Sequence, residues 1–275
     1  EISGGSAANT LAGMAALGAR CAFVGQVADD QLGAVFQHDI RAGGIAFDTP
    51  ARPGEPPTGR CLILVTGDGE RTMNTLLGAS QFLAPDTIDE TLIAQAGVLY
   101  LEGYMWDPEE PRAAMRRAIK AARAAGRRVA FTASESFIID LHRADFLALL
   151  GAGEIDILFV NEHELAALTG EASFEDGLAA AASMVPLLVA TRGAAGAVAV
   201  AGVERAEVAA EPVARVVDTT GAGDLFAAGF LTGHIRGEPL ARALRMGAIC
   251  AAEVIGHYGA RPEADLRALV AERLF

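Results

Sequence analysis

Apolar and polar positions alternate on two length scales along the chain. Short, almost entirely apolar runs predict strands covered on both faces, as in a parallel sheet, at residues 21–27, 98–102, 128–132, 157–160 and 187–191. Longer segments repeat their apolar positions with helical period and predict helices at residues 30–42, 111–125, 144–150, 162–168, 174–182, 225–235, 240–254 and 262–273. This alternation predicts an α/β fold with a central, mostly parallel sheet flanked by helices.

Residues 45–80 interrupt the alternation. This stretch contains four prolines, followed by two β-like runs at residues 60–66 and 71–77. The intervening Gly-Asp-Gly-Glu at residues 67–70 is typical of a hairpin turn. We expect this hairpin to project from the main sheet, and a plain hairpin at the sheet edge is the alternative. The predicted division is a core domain of residues 1–44 and 81–275 and a small β domain of residues 45–80.

The composition excludes several classes of protein. With 275 residues, 52% of them hydrophobic, and a mean hydropathy of +0.31, the chain can bury a sizeable core. The net charge of −13 argues against a nucleic-acid groove and an anionic membrane surface. No apolar run reaches the roughly 18 residues of a membrane span. We therefore expect a cytoplasmic protein that binds a small molecule, without a nucleic-acid or membrane partner.

The cysteines, the histidines and the single lysine restrict the kinds of active site that the chain can form. Cys21, Cys61 and Cys250 are far apart and flanked by apolar residues, which predicts buried free thiols in a reducing compartment. The five histidines show no metal-binding spacing. Lys120 is the only lysine and lies in a predicted helix, so neither a Walker loop nor a protein-kinase strand lysine is present. Any phosphate chemistry must use backbone amides, arginine and metal ions.

The most informative motif is Asp-Thr-Thr-Gly-Ala-Gly-Asp at residues 218–224. It follows a β-rich run at residues 207–217 and precedes a predicted helix, so its glycines lie at a helix N-terminus. Gly221 and Gly223 leave backbone amides open to a ligand, and such a terminus favours a phosphate. Asp224 would repel that phosphate unless it takes a proton from an attacking hydroxyl, which predicts a general base. An ordinary capped helix is the alternative.

A second motif, Gly-Gly-Ser-Ala-Ala-Asn at residues 4–9, opens a predicted helix at residues 10–17. Together the two motifs resemble the signatures of the PfkB (ribokinase-like) family of carbohydrate and nucleoside kinases, and the resemblance covers essentially the whole chain. It implies a ribokinase-like fold, ATP and Mg²⁺ as cofactors, and a β-lid at residues 45–80 that excludes water. The implied site residues are Asp224 as catalytic base, Gly221, Ala222 and Gly223 as amide donors to the γ-phosphate, and Gly4, Gly5 and Asn9 facing the acceptor.

The resemblance also implies a nucleotide side. Asn161 and Glu164 match the family's Asn-x-x-Glu motif, which positions phosphate and, through water, Mg²⁺; the pair equally fits a helix capping box. Thr191, Gly193 and Gly196 match a Thr-x-Gly-x-x-Gly nucleotide loop, for which a β-turn is the alternative. The neighbouring Arg192 either reaches a phosphate or is solvated.

Two residues of the long motif are implied to bind a monovalent cation. Asp218 and Thr220 match positions whose oxygens hold such an ion, K⁺, in many relatives, and hard oxygen ligands suit it. The relatives begin with a strand that precedes the first motif and supplies a further Asp to the acceptor. We expect that this segment is missing from the given chain, and that the protein is a monomer or a homodimer.

The identity of the phosphate acceptor is the least constrained part of the prediction. Stretches similar to adenosine kinases lie at residues 57–59, 65–68, 134–137, 251–255 and 259–262. An aromatic residue at the position of Phe137 stacks on adenine in those relatives, which would contribute about 1–3 kcal/mol, and an ordinary core position is the alternative. Residues 78–80 read Gly-Ala-Ser where ribokinases carry Gly-Ala-Asn.

The resulting expectation is an ATP-dependent phosphotransferase acting on a primary hydroxyl of a ribose-containing small molecule, with adenosine to AMP as the best match. A sugar kinase for ribose, fructose or a 2-keto-3-deoxy sugar acid is the alternative within the family. A catalytically silent nucleotide-binding relative is the alternative of a different class. A Rossmann dehydrogenase would need Gly-x-Gly-x-x-Gly after its first strand, and the sequence lacks it there.

Overall fold

The computed structural model of the protein describes residues 1–67 and 71–274. By compactness the chain forms two units, one of Glu1–Gln81 with Val208–Phe275 and one of Phe82–Glu207. The division between a core domain and a β-lid stays a prediction. Within the described part of the chain, no helix combines the length and apolar character that a membrane span needs.

The described residues form ten strands and ten α-helices. The strands are β1 (Cys21–Ala22), β2 (Ile45–Ala46), β3 (Arg60–Val65), β4 (Arg71–Leu76), β5 (Val98–Glu102), β6 (Arg128–Thr132), β7 (Ile157–Asn161), β8 (Leu187–Thr191), β9 (Ala197–Ala201) and β10 (Glu204–Val208). The helices are α1 (Ser6–Ala16), α2 (Gln31–Ala42), α3 (Glu90–Gln95), α4 (Glu109–Ala124), α5 (Ser136–Gly151), α6 (Glu162–Thr169), α7 (Phe174–Ala182), α8 (Ala222–Ile235), α9 (Leu240–Val254) and α10 (Leu266–Arg273).

Six strands form one sheet in the order β10-β9-β8-β7-β6-β5. Strands β5 to β8 are parallel, and β9 pairs antiparallel with β8. The first four residues of β7 and of β8 are all buried, which explains their nearly continuous apolar sequence. The predicted central, mostly parallel sheet is confirmed. Because β5 to β8 are parallel, their carboxyl ends lie at one edge of the sheet.

Helix ends around this sheet mostly follow the predicted signals. Gly170 ends α6 in the left-handed conformation (φ 81°), and the chain leaves α4 through Gly126 (φ 66°). Helix α5 differs, because it begins at Ser136 and not at the predicted residue 144. A kink at His142 (φ −123°, ψ 18°) separates its first turns from the segment that the periodicity detects.

Helices α1, α8 and α9 pack closely in the unit that holds both chain ends. Helix α8 is buried around most of its circumference, since α1 and α9 both cover it. A Cβ on Gly13 of α1 would lie 2.7 Å from the Cβ of Ala228, and one on Gly229 would lie 2.4 Å from the Met246 carbonyl oxygen. Small residues thus allow α8 to approach both neighbours and bring the start of α1 to the start of α8.

Two predicted strands are shorter in the structure. The strand predicted at residues 21–27 pairs with β2 only over Cys21–Ala22, and an isolated bridge between Ala28 and Arg52 follows. The prolines after β2 have no N–H groups to continue the ladder. The β-rich run at residues 207–217 is also shorter as a strand than predicted, since β10 ends at Val208. Pro212 follows four residues later and has no N–H group for a ladder.

Strands β3 and β4 form the predicted antiparallel hairpin, in register from Arg60 opposite Leu76 to Val65 opposite Arg71. Residues 68–70 of the predicted turn lie outside the described residues. Cys61 in β3 is exposed, so its predicted burial is wrong; Cys250 is buried and Cys21 is partly buried. A two-stranded hairpin has too little cover to bury every apolar run, which is why apolar neighbours misled the prediction at Cys61.

Candidate active site

The glycine motif itself forms the first turn of α8. Gly221 is the N-cap in the left-handed conformation (φ 82°), and a Cβ there would lie 2.6 Å from the Cβ of Ala260. Gly223, in the first turn, has no atom within 4 Å of an added Cβ, so the surface beside it is open. The helix begins at Ala222, three residues before the predicted start. The Ala222 N–H donates to the Thr219 carbonyl oxygen at 3.3 Å. The next amides of the first turn, at Gly223 and Asp224, have no carbonyl acceptor within the helix and can face an anion.

Asp224 lies in this turn and is held by the first motif. Its Oδ1 accepts a hydrogen bond from the Ser6 hydroxyl at 2.7 Å, and its Oδ2 accepts one from Asn9 Nδ2 at 2.9 Å. Ser6 and Asn9 both belong to the first turns of α1, more than 200 residues away in sequence. The two sequence motifs therefore meet at one carboxylate, which is the predicted catalytic base.

Ser6 is a site residue that the sequence interpretation missed. It stands inside the Gly-Gly-Ser motif at the first position of α1, and that position was the available signal. Gly4 and Gly5, which precede it, are exposed, and Gly5 has a φ of 96° that favours glycine. Asn9 is buried, and its amide oxygen has no hydrogen-bond partner among the residues described. That oxygen is an acceptor beside the carboxylate that a ligand hydroxyl would satisfy.

The pKa of Asp224 is raised above its ordinary value. Burial of the carboxyl group is the largest cause, and hydrogen bonds from Asn9 and Ser6 partly offset it. The positive charges of Arg261 and Arg71 act in the same direction as those bonds. A carboxylate with a raised pKa is a stronger base than an ordinary aspartate, as proton abstraction from a hydroxyl requires.

Arg261 and Arg71 are two further residues that the interpretation did not place in the site. Arg261 donates to the carbonyl oxygens of Ser3 and Ala8, both at 2.9 Å, and so anchors the start of α1. Arg71, the first residue of β4, donates to the Thr219 hydroxyl at 2.6 Å. Both contacts join residues far apart in sequence, and no local pattern marks them.

The two residues predicted to bind a monovalent cation lie together. Asp218 Oδ1 accepts hydrogen bonds from the Thr220 hydroxyl at 2.6 Å and its N–H at 2.9 Å, while Oδ2 accepts from Gly259 N–H at 3.0 Å. Burial, the largest effect, would raise the pKa of Asp218, but these hydrogen bonds and the charge of Arg71 outweigh it and the pKa is lowered. The carboxylate is therefore ionised, and its role toward K⁺ stays a prediction.

In the other unit, Asn161 and Glu164 form the capping box of α6. The Asn161 side-chain oxygen accepts from the N–H groups of His163 and Glu164, each at 2.9 Å. Glu164 in turn accepts from the Asn161 N–H at 3.0 Å and from its Nδ2 at 2.6 Å. The capping interpretation is thus correct. It does not exclude a role toward Mg²⁺, because the capping bonds hold the Glu164 carboxylate at the carboxyl edge of the sheet, where α/β proteins bind ligands.

Glu164 has an environment suited to a metal ion. It is 5% exposed, and burial raises its pKa to about 7, with the Asn161 hydrogen bond acting against this rise and the charge of Glu135 adding to it. Among the residues that the structure describes, no group of three or more potential ligands surrounds one point. Mg²⁺ keeps several waters and needs only one or two protein carboxylates beside phosphate oxygens. A single buried carboxylate that a cation would ionise fits this requirement.

The predicted nucleotide loop begins at the same sheet edge. Thr191 ends β8 and stands opposite Asn161 in the parallel register. Gly193 is exposed with open space around it (φ 51°), and Gly196 (φ 88°) leads into β9. The loop contains a short 3₁₀ helix at Gly193–Ala195, so it makes a tight turn into β9, much as the alternative interpretation predicts. The Arg192 guanidinium lies 4.6 Å from the centre of the Phe174 ring, and the side chain is partly buried. Its role toward a phosphate stays a prediction.

Phe137, the predicted partner of an adenine ring, is 55% exposed at the start of α5, which excludes an ordinary core position. Just before it, Ser134 has a φ of 72°, the sole positive φ of a non-glycine residue among those described. The Ser134 hydroxyl accepts from the Gly103 N–H at 2.8 Å, which holds this conformation. Backbone strain at the carboxyl end of a strand is typical of a ligand site.

Known proteins resemble this chain over nearly its whole length. The pattern of the pfkB family carbohydrate kinases matches residues 1–266. The crystal structure of adenosine kinase from Sinorhizobium meliloti is 46% identical, with a TM-score of 0.96 over 98% of this chain and 82% of that one. A probable sugar kinase from Rhizobium etli is 42% identical, with a TM-score of 0.97 over 99% of this chain and 83% of that one. An ATP-dependent ribose-1-phosphate kinase of Halopiger xanaduensis is 31% identical over 99% of this chain and 88% of its own.

Fold and site together define a kinase with a ribokinase-like α/β fold. Within that class, the chain belongs to the pfkB family of carbohydrate kinases.

Proposed function

We propose that the protein transfers the γ-phosphate of ATP to a primary hydroxyl of a ribose-containing small molecule, with adenosine as the best candidate acceptor. The observation that carries the proposal is the Asp224 carboxylate, held by Ser6 and Asn9 beside the open amides of α8. A hydroxyl that donates to this carboxylate would stand next to a phosphate bound at the helix N-terminus.

In the proposed reaction, Asp224 takes the proton as the acceptor oxygen forms a bond to the γ-phosphorus. The bond from that phosphorus to the bridging oxygen breaks, and ADP leaves with its electron pair. The first-turn amides at Gly221, Ala222 and Gly223 stabilise the negative charge of the transferring group. Gly4, Gly5 and Asn9 orient the acceptor from the start of α1.

The nucleotide side of the proposal uses the carboxyl edge of the sheet. Thr191, Gly193 and Gly196 bind ATP, and Asn161 with Glu164 holds Mg²⁺ and phosphate. The metal ion, when bound, neutralises phosphate charge and orients the γ-phosphate. Asp218 and Thr220 are the proposed ligands of a monovalent cation.

Two observations bear on the acceptor. The exposed ring of Phe137 supports a nucleobase, because an aromatic face free of core contacts is available for stacking. The relative from Halopiger xanaduensis supports a sugar acceptor, here ribose 1-phosphate, as the second candidate. Arg71 near Asp224 would suit the negative charge of such a sugar phosphate.

The test is ADP release with Mg²⁺ and ATP over a panel of adenosine, ribose, ribose 1-phosphate, fructose and a 2-keto-3-deoxy sugar acid, with the phosphorylated product identified. We expect adenosine to give the highest kcat/KM, and Phe137→Ala to lower kcat/KM for adenosine much more than for sugars. A preference for a sugar by orders of magnitude would reject adenosine. Binding of ATP without transfer to any acceptor would favour the catalytically silent relative.

A further inference from the structure

The entry of the β3–β4 hairpin is tied to the start of α2. Asp30, the N-cap of α2, accepts a hydrogen bond from the Gly33 N–H of its own helix at 2.7 Å. The same carboxylate accepts two from Thr58, one from the hydroxyl at 2.7 Å and one from the backbone N–H at 2.8 Å. Thr58 is buried and lies two residues before β3. One carboxylate therefore caps a helix and holds the first strand of the hairpin.

Close backbone contacts leave this anchor little freedom. The Thr58 hydroxyl oxygen also accepts from the Ala28 N–H at 3.0 Å. A Cβ on Gly33 would lie 2.0 Å from the Ala28 carbonyl oxygen and 2.9 Å from the Thr58 hydroxyl oxygen. At the hairpin exit, Gly78 has a φ of 56°, and a Cβ there would lie 2.2 Å from the Pro57 carbonyl oxygen. The exit of the hairpin is thus packed against its entry, and the entry is packed against residues 28–33.

The far end of the hairpin reaches the candidate active site through the Arg71–Thr219 hydrogen bond of 2.6 Å. Six residue pairs separate the ends of the hairpin, which corresponds to about 17 Å at roughly 3.4 Å per residue. A rotation of about 5° at the entry would move the far end by about 1.5 Å over that length. Misplacement by about 1 Å costs on the order of 10²-fold in a reaction that depends on positioning.

We propose that Asp30 is a positioning residue for phosphoryl transfer, which holds the hairpin entry through Thr58 and thereby places Arg71 beside Thr219. The inference rests on the proposed kinase function and extends it to a residue outside the reacting groups. Burial, the largest effect, acts to raise the pKa of Asp30, but hydrogen bonds from Thr58 and Gly33 and the charge of Arg60 outweigh it and lower the pKa. The anchor therefore stays ionised at neutral pH.

Asp30→Asn separates the two roles of the carboxylate. Asn is about as good an N-cap as Asp, so the Gly33 N–H keeps its acceptor. The remaining oxygen keeps the position of Oδ1, which accepts from the Gly33 N–H and the Thr58 hydroxyl. An amide N–H₂ group then replaces Oδ2 and faces the Thr58 backbone N–H, so that bond is lost. With the best acceptor of the panel, we expect kcat to fall by about 10-fold or more, with a melting temperature close to wild type.

Two readouts distinguish positioning from a general loss of structure. The ratio of ADP released to acceptor phosphorylated should rise in Asp30→Asn, because a displaced lid admits water as a competing acceptor. Trypsin should cleave faster at Arg60 and Arg71 in the free protein. Asp265→Ala is the matched control, since it removes the N-cap of α10 (bonds to the N–H groups of Arg267 and Ala268) without contacting the hairpin. It should lower stability and leave both readouts unchanged.

Variants of Thr58 complete the test. Thr58→Val removes the hydroxyl at nearly constant volume and should reproduce the Asp30→Asn effects, whereas Thr58→Ser keeps the hydroxyl and should restore most of the activity. The double variant Asp30→Asn/Thr58→Val should lose little more than either single variant, because each substitution loosens the same anchor between Asp30 and Thr58.

Two results would overturn the inference while the kinase function stands. One is that Asp30→Asn keeps the wild-type ratio of ADP released to acceptor phosphorylated and the wild-type resistance to trypsin. The other is that the losses of kcat in the two single variants multiply in the double variant. A wild-type protein without activity on any acceptor would instead overturn the proposed function and this inference with it.

Discussion

At the scale of single residues, Asp224 and Glu164 share one property, a carboxylate whose pKa is raised because burial disfavours its charge. The catalytic role proposed for Asp224 gains from this, since the proton affinity of the base moves toward the working pH. The metal-binding role proposed for Glu164 gains nothing until a cation arrives and compensates the buried charge. In the protein without ligands, the fold therefore disfavours the ionised form of both carboxyl groups.

Asp224→Asn should lower kcat by about 10²–10⁴-fold, the usual contribution of a general base. The melting temperature at neutral pH should not fall, because the substitution removes a buried charge that the fold disfavours. Steady-state kinetics and thermal unfolding measure the two effects. Asp89→Asn, at the N-cap of α3, is the control and should leave kcat unchanged. Near-normal kcat in Asp224→Asn would exclude the assigned role.

Glu164→Gln should stabilise the protein in a pH-dependent way. The pKa of Glu164 is raised from 4.5 to about 7 in the folded state, so its favourable contribution is complete below pH 4.5 and is lost as the pH rises through about 7. Gln resembles the protonated carboxyl group at every pH. We expect equal melting temperatures for variant and wild type near pH 4.5, and a higher one for the variant at pH 8, by about 2–4 °C per kcal/mol. The same offset at both pH values would contradict the assigned environment.

At the scale of elements, the first turn of α8 uses its two glycines for different reasons. Gly221 is required by conformation and space, with a φ of 82° and a would-be Cβ 2.6 Å from Ala260. Gly223 has an ordinary helical position and open space, so the fold itself does not require glycine there. Only an approaching ligand would meet a side chain at that position.

Gly223→Ala and Gly221→Ala should therefore separate function from folding. The first should raise stability by about 0.5–1 kcal/mol, the usual gain of Ala over Gly in a helix, and lower kcat because its methyl group lies in the proposed phosphate site. The second should lower stability through backbone strain and the Ala260 clash. Urea unfolding and steady-state kinetics measure these effects. If Gly223→Ala is more stable but its kinetic constants are unchanged, the proposed phosphate site does not lie at this turn.

The strands and helices also show which structural features a local sequence pattern can predict. Strands β5, β6 and β8 have the predicted bounds, because burial on both faces gives an unbroken apolar run. The strand predicted at residues 21–27 failed because the ladder depends on its partner, and the partner segment is rich in proline. The early start of α5 was hidden by the kink at His142, which shifts the apolar period. Local sequence determines an element's type better than its pairing.

At the scale of the whole molecule, the candidate site residues fall into those that a sequence motif predicted and those that only the contacts of the structure reveal. Asp224, Asn9 and Glu164 stand in runs whose residue types predict a role in the chemistry. Ser6 and Arg71 act through single hydrogen bonds across more than 140 residues of sequence. Such pairs follow from how α1 and the hairpin pack beside α8, which residue patterns do not record.

The meeting of the two motifs at Asp224 leads to a pH prediction. The hydrogen bond from Ser6 lowers the pKa of Asp224 against the larger effect of burial, so Ser6→Ala should raise that pKa further. A bond of about 1–1.5 kcal/mol corresponds to a rise of about one pH unit. Activity falls as Asp224 is protonated, so the acid limb of the kcat/KM profile should move to higher pH in Ser6→Ala, with the alkaline limb unchanged. Ser6→Thr, which keeps the hydroxyl, should leave the limb in place. An acid limb that stays fixed in Ser6→Ala would mean that another group sets it, because removing the donor cannot leave the proton affinity of the true base unaltered.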